Sequence, residues 1–444
     1  MVSDSPRSSH DIVSEVIDNG EVSTQQYVVI GLCLLFNMLD GFDITAMAVV
    51  ASSVATDLNL TTDRLGWIFS FALLGMMAGA MFLAPVADII GRRKMVIITV
   101  LVIGSSVLLT AMATTLSQFI ALRFISGLAA GAMLASQTAL TAEYSPEKYR
   151  ALSISIVVAG YPLGAMMTSV VAGYIMPDFG WRGMFLFGGS VTLFMVVIAL
   201  AFIPESLKFL LDRRPVNALN RANKILVRLG KQELRVLPEI SKDAEATGPG
   251  VIEGMLSLVR EPYRATTFLL WTTFFLSFST LYFLMSWVPK LMEHAGFSAE
   301  VGRQAFLVLN MGGVTGIVLL GVLATRISLS RLVSGFLVSS AILMVVFAAM
   351  PGQKMALMIV ITLIGALMQG GFTGLYAVAA KVYPTEIRST GIGWGIGLGR
   401  SGAVAGPAIA GYLIAAGLST SANFVIFAVP LALSGIFAFY LHVR

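Results

Sequence analysis

The sequence predicts an all-α membrane protein of twelve transmembrane helices arranged as two six-helix halves, and three observations carry that prediction. Apolar residues fill 57% of the 444 positions and charged residues 12%, with a mean hydropathy of +0.86, whereas a soluble domain carries about 25% charged residues. Apolar windows of roughly twenty residues, each long enough to cross a bilayer, recur along the whole chain. A set of residues from the first half returns in the second at an offset of about 238 positions, as expected of an internal repeat.

The cytoplasmic tail 1–26 leads into a first span at 27–51, which has no basic stretch before it, is too long for a signal segment and ends in no small-x-small cleavage pattern. Further spans follow at 66–87, 95–115, 118–141, 152–175 and 184–203. The hydrophilic interval 204–264 is rich in Arg and Lys, reads as a cytoplasmic loop, and ends in the flexible Ala246-Thr247-Gly248-Pro249-Gly250. Spans at 265–288, 303–324, 332–350, 355–378, 390–417 and 422–441 complete the second bundle, 265–441, opposite the first, 27–203. With both termini inside, about 22 of the 29 Lys and Arg lie in cytoplasmic segments. The net charge of +5 is therefore a topology signal that calls for no nucleic-acid partner.

Pro146-x-x-x-Arg150, Gly164 and Ala172-Gly173-Tyr174 return as Pro384-x-x-x-Arg388, Gly402 and Ala410-Gly411-Tyr412. An even number of spans per half makes the repeats parallel. They are then related by an axis along the membrane normal, which places a binding site at their interface and fits an alternating-access carrier.

Other chemistries are disfavoured. The lone Cys33 rules out an intramolecular disulfide framework, and His10, His294 and His442 lie in tails or an outer loop and form no metal cluster. Gly397-x-Gly399-x-x-Gly402 matches a dinucleotide fingerprint only formally, because no strand precedes it, and there is no phosphate loop. No cofactor or nucleotide is expected, and no nucleophile, base and orienting group converge as an enzyme would require.

The charges inside the spans carry the chemistry. Asp40-Gly41-Phe42-Asp43 puts two carboxylates three residues apart in the first span, and intramembrane acids mark ion or proton pathways by default. Two carboxylates in one low-dielectric cavity do not both ionise cheaply, so one of the pair is expected to carry the proton, the spacing leaving open which. Counting about 1.5 Å per residue puts Arg123 of the fourth span level with them. Arg400 lies near the midplane, and its repeat-equivalent is Pro162, so its guanidinium breaks the internal symmetry. A planar two-pronged donor suits a carboxylate ligand.

Between the second and third spans, Ala84-Pro85-Val86-Ala87-Asp88-Ile89-Ile90-Gly91-Arg92-Arg93-Lys94 resembles the Gly-x-x-x-Asp-x-x-Gly-Arg-Arg/Lys loop of the major facilitator superfamily, with Ala84 where Gly is usual. The equivalent Gly321-Val322-Leu323-Ala324-Thr325-Arg326 keeps the frame and loses the acid. With Arg123-x-x-x-Gly127-x-x-x-Gly131, Pro204-Glu205-Ser206-Leu207, Tyr383-Pro384-x-x-x-Arg388 and the glycine run from Gly391 to Gly402, the chain resembles the aromatic acid:proton symporters of that superfamily along nearly its whole length. The resemblance implies the major facilitator fold in a bacterial inner membrane, a monomer, and proton-coupled uptake of benzoate-like or hydroxybenzoate-like anions. It also implies a cytoplasmic latch built from Asp88, Gly91, Arg92 and Arg93 with Glu143, Arg150 and Arg388.

A ring-shaped substrate needs apolar faces. Phe42, Tyr161, Trp394 and the series Phe274, Phe275, Phe278 and Tyr282 offer them, with Asn310 and Gln369 as hydroxyl partners and Arg400 and Arg123 as cations. The alternatives are a carrier of another small organic anion and a drug:proton antiporter of the same fold. Against the antiporter, Gly160-Tyr161-Pro162-Leu163-Gly164 lacks the Gly-Pro-x-x-Gly-Gly element that antiporters share.

Overall fold

The protein is represented by a computed structural model that describes residues 12–18, 22–238, 256, 258–350, 353–383 and 385–441. The 246–250 segment, His10 and His442 lie outside the described residues, as does the side chain of Arg388. The architecture is all-helical. Helix α1 spans Thr24–Asp57, α2 Thr62–Ala78, α3 Arg92–Thr110, α4 Leu116–Tyr144 and α5 Glu147–Phe202. The loop helices α6 (Leu207–Arg213) and α7 (Ala218–Arg228) follow. Then come α8 Arg264–His294, α9 Ala299–Leu323, α10 Leu329–Ala349, α11 Lys354–Val382, α12 Thr385–Ala415 and α13 Thr420–Tyr440.

Local chemistry sets the ends. The first helix begins three residues before the predicted span because Ser23 and Gln26 form a capping box, the Gln26 carbonyl accepting from the Ser23 amide at 2.8 Å. Pro85, which has no N–H to give, follows the point where α2 loosens into a π turn, Gly79–Leu83, and a 3-10 turn, Ala84–Val86. Gly91 then turns the chain at φ 100°, a left-handed angle that favours glycine.

Among the described residues ten helices are long and apolar enough to cross a membrane, against the twelve spans predicted. The difference has two sources. Helix α5 carries two predicted spans in 56 residues, continuous except for the non-helical Gly180 at φ 61°, ψ −165°. Helix α12, with 31 residues, is glycine-rich and carries Arg400, and it is not among the ten.

Small residues set the depth of packing. A side chain at Gly41 would run into the carbonyl of Tyr161, and one at Gly164 into that of Met38, so α1 and α5 touch backbone to backbone. In the second half Gly402 meets the carbonyl of Phe275 in the same way, bringing α12 onto α8. The repeat pair Gly164 and Gly402 thus performs one packing role twice.

Candidate functional site

Where α1 and α5 face α8, α11 and α12, the bundle forms a cavity of about 140 Å³. Asn37 and Asp40 reach it from α1, Tyr161 and Pro162 from α5, and Arg400 from α12. The repeat equivalents Pro162 and Arg400 therefore line one space. Asp40 is 1% exposed, and among the described residues no group hydrogen-bonds either of its carboxyl oxygens. Arg400 is half-buried, forms no ion pair among the described residues, and has a buried Nε without a hydrogen-bond partner. Among the described residues, a carboxyl without a hydrogen-bond partner and a guanidinium without an ion pair thus share one cavity, although burial makes each costly to leave unpaired.

The wall opposite Asp40 is aromatic. Phe278 and Tyr282, one helical turn apart on α8, lie nearly parallel with centroids 6.1 Å apart, and Phe372 of α11 meets Phe278 edge-on at 4.7 Å. Tyr376 continues this wall at 5.5 Å from Phe372. Gln369 adds an amide to the cavity; its Nε2 donates to Asn310 Oδ1 at 3.4 Å, and its side chain rests where Gly313 leaves room for it.

Pro162 explains how α5 presents its residues. Lacking an N–H, it leaves the Val158 carbonyl without its intrahelical donor. Asn37 Nδ2 donates to that carbonyl at 3.2 Å and to Val157 O at 2.7 Å, while Asn37 Oδ1 accepts from Gln137 Nε2 at 3.1 Å. The side chain three residues before Asp40 therefore fixes α5 beside it.

Asp43 has different surroundings. It is 3% exposed and accepts from Arg123 at 2.6 Å, and the other Arg123 nitrogen donates to the Asp43 carbonyl at 3.0 Å. The guanidinium also sits 5.2 Å from the centre of the Phe185 ring. The charge pair between the first and fourth spans forms, and it holds Arg123 away from the cavity. Other predicted groups also lie off its wall. Phe42 packs on Phe187 at 6.0 Å, Asn310 donates to Phe306 O at 2.9 Å, and Trp394 packs against the hydrophobic core. Tyr161, Phe278, Tyr282, Gln369 and Arg400 are on it. Asn37, Phe372 and Tyr376 were not singled out from sequence. The spacing of Asn37 from Asp40 was a usable signal, whereas the two rings carried none in a chain with 27 Phe and 11 Tyr.

The two ends of the bundle differ. At the end carrying Asp57 and His294, Ser52 of α1 donates to Glu293 of α8 and accepts from Lys290 at 2.9 Å. Ser70 of α2 donates to Val404 O of α12 at 2.7 Å, Phe69 meets Trp287 edge-on at 5.3 Å, and Gly66 lies against the backbone of Pro407 and Gly411. At the opposite end Asp88, 57% exposed, pairs with Arg92 at 2.6 Å, and Arg92 reaches Glu143 at 3.5 Å. Arg150 pairs with Asp18 at 2.7 Å and donates to Ala142 O at 3.1 Å. The Asp88 partner is thus in its own loop, and Arg92 links that loop to Glu143. Glu205, buried at 4% exposure, organises this end. One of its oxygens accepts from the Arg93 and Ser206 amides at 3.0 and 3.1 Å, and the carboxylate fills the space a side chain at Gly91 would need.

The chain's residues 33–355 match the model of the Major Facilitator Superfamily. It is 31% identical over 440 residues to the 4-hydroxybenzoate transporter PcaK of Acinetobacter baylyi, covering 98% of this chain and 94% of that one. It is 29% identical to the gallate transporter of Pseudomonas putida, covering 94% and 92%. Its fold is similar to a solved bacterial homolog of the human lysosomal transporter Spinster, with TM-score 0.71 at 17% identity over 95% of this chain and 97% of that chain.

Proposed function

The chain belongs to the Major Facilitator Superfamily, and on that premise we propose that it imports small aromatic carboxylates together with protons by alternating access. The observation that carries this reading is one cavity presenting a carboxyl, Asp40, and a guanidinium, Arg400, neither in an ion pair among the described residues, together with an aromatic wall. The names of the similar transporters supply the substrate class: 4-hydroxybenzoate and gallate are both ring carboxylates. In this reading the substrate carboxylate meets Arg400, the ring lies against Phe278, Tyr282, Phe372 and Tyr376, and the Gln369 amide faces a ring hydroxyl.

Asp40 is the proton carrier of the pair and Asp43 the fixed counter-charge of Arg123. A deprotonated Asp40 competes with the substrate carboxylate for Arg400. A protonated Asp40 leaves the guanidinium to the substrate, so proton and anion load together. Asp43 is already neutralised by a partner that is itself 1% exposed and has no such choice.

Twelve spans in two halves, 27–203 and 265–441, joined by the cytoplasmic loop 204–264, accommodate α5 as two spans and α12 as the eleventh. With both termini inside, the Asp57 end faces outward. Contacts among α1, α2, α8 and α12 close it, so this is an inward-facing arrangement of a monomeric carrier in the bacterial inner membrane. The Asp88 loop, with Gly91, Arg92, Arg93, Glu143, Arg150 and Arg388, then latches the cytoplasmic face in the opposite state.

The test is uptake of labelled 4-hydroxybenzoate challenged with benzoate, protocatechuate, phenylpropionates, muconate and nicotinate. Competition confined to aromatic carboxylates supports the reading, and competition by muconate alone contradicts it. Accumulation in inside-out vesicles under a proton gradient would point to the antiporter instead.

A further inference from the structure

A further charged cavity lies beside the loop helices. It measures about 240 Å³ and is lined by Arg93 at the start of α3, by Leu200, Ile203 and Glu205 near the end of α5, and by Arg221, Lys224 and Arg228 on one side of α7. Four cations face a single acid. Glu205 spends one oxygen on the Arg93 and Ser206 amides, and the other reaches Arg221 only at 3.6 Å. Arg93 uses one nitrogen on Leu200 O at 2.7 Å, and its Nε is buried without a partner. Among the described residues neither Lys224 nor Arg228 is in an ion pair, and both side chains are exposed.

Helix α7 is built for this position. Its apolar side buries Ala222, Ile225 and Leu226, and Arg221, Lys224 and Arg228 line the cavity beside Ile225. The cavity also borders the apolar belt: Leu200 lines it at 51% exposure, and Phe202 and Val197 beside it are 55% and 62% exposed. An excess of cations over acids beside exposed apolar surface suits a ligand with a phosphate at one end and hydrocarbon at the other.

We propose that this cavity is a binding site for a phosphate group, that of an acidic phospholipid of the inner leaflet, with Arg221, Lys224 and Arg228 as its donors and Arg93 beside them. The headgroup would sit between α7 and the start of α3 and tie the loop helices to the bundle. It would also draw Arg221 from Glu205, the residue that holds the Gly91–Arg93 turn. The site shares no residue with the transport cavity, so its test is independent of the substrate assignment.

The test uses full-length protein purified in neutral detergent and titrated with phosphatidylglycerol, phosphatidylcholine and inorganic phosphate, with bound ligand read by native mass spectrometry. Phosphatidylglycerol is expected to bind saturably. Arg221→Gln, Lys224→Gln and Arg228→Gln should each weaken it about fivefold. Arg235→Gln, which removes an exposed loop charge that does not line the cavity, should leave it unchanged. Displacement of the lipid by inorganic phosphate at similar concentration, with the same three variants weakened, would keep the phosphate site and make free phosphate its ligand. Equal binding of phosphatidylcholine, or equal loss in Arg235→Gln and Lys224→Gln, would overturn the proposal. The exposed Lys224→Gln keeps the test informative if changes nearer Glu205 impair folding.

Discussion

Asp40 and Asp43 lie three residues apart on α1, and a helix turns by about 100° per residue, so their side chains point roughly 60° apart. That angle is enough to send Asp40 into the cavity and Asp43 onto Arg123. Asp43→Asn should strand a buried guanidinium and cost about 3–5 kcal/mol, seen as reduced membrane abundance and a lower melting temperature. Asp43→Asn combined with Arg123→Gln should recover part of that loss. Arg400→Lys keeps the charge but loses the planar fork, and it should weaken substrate affinity by about tenfold or more at unchanged abundance. Near-normal affinity in Arg400→Lys and Arg400→Gln would remove Arg400 from the site. The presence of these charges inside the bundle was legible in the sequence, since they fall within apolar spans where acids and arginines are expensive. Their different surroundings were not legible, because spacing gives a helix face and not the neighbour that face meets. Phe42 and Trp394 show the same limit: both are aromatic and intramembrane, yet one packs on Phe187 and the other against the hydrophobic core.

At the scale of elements, the site depends on how closely α1 and α5 approach. Gly41 and Gly164 allow backbone contact, and Asn37 takes up the carbonyl that Pro162 frees. Gly164→Val would force the two helices apart and should lower both stability and substrate binding, measured by thermal unfolding and ligand titration on the same sample. The span pattern was legible because hydropathy reports burial in lipid directly. The continuity of α5 through Gly180 was not, since a single glycine does not announce whether a helix stops or bends. The turn after α2 adds a second element-scale prediction. Asp88→Asn removes a charge and little bulk, so uptake should collapse while substrate binding persists, the defect being in switching between states. Full uptake in Asp88→Asn, or loss of binding with normal folding, would show that the loop has another role.

At the scale of the whole molecule, three features coexist: a closed Asp57 end, a cavity between the two sets of helices, and one carboxyl within it that has no hydrogen-bond partner among the described residues. The first was not legible in the sequence, because Ser52, Lys290 and Glu293 meet only through the fold. The second was anticipated from the repeat, and Pro162 and Arg400 do share the cavity. The third underlies the proposal that protonation of Asp40 couples proton movement to anion uptake. The most direct measurement places wild-type protein and Asp40→Asn in proteoliposomes and follows labelled 4-hydroxybenzoate with and without an inward proton gradient. Wild type should concentrate substrate against its gradient, while Asp40→Asn should lose that accumulation and retain exchange at equal pH. Continued uphill accumulation by Asp40→Asn would contradict the account.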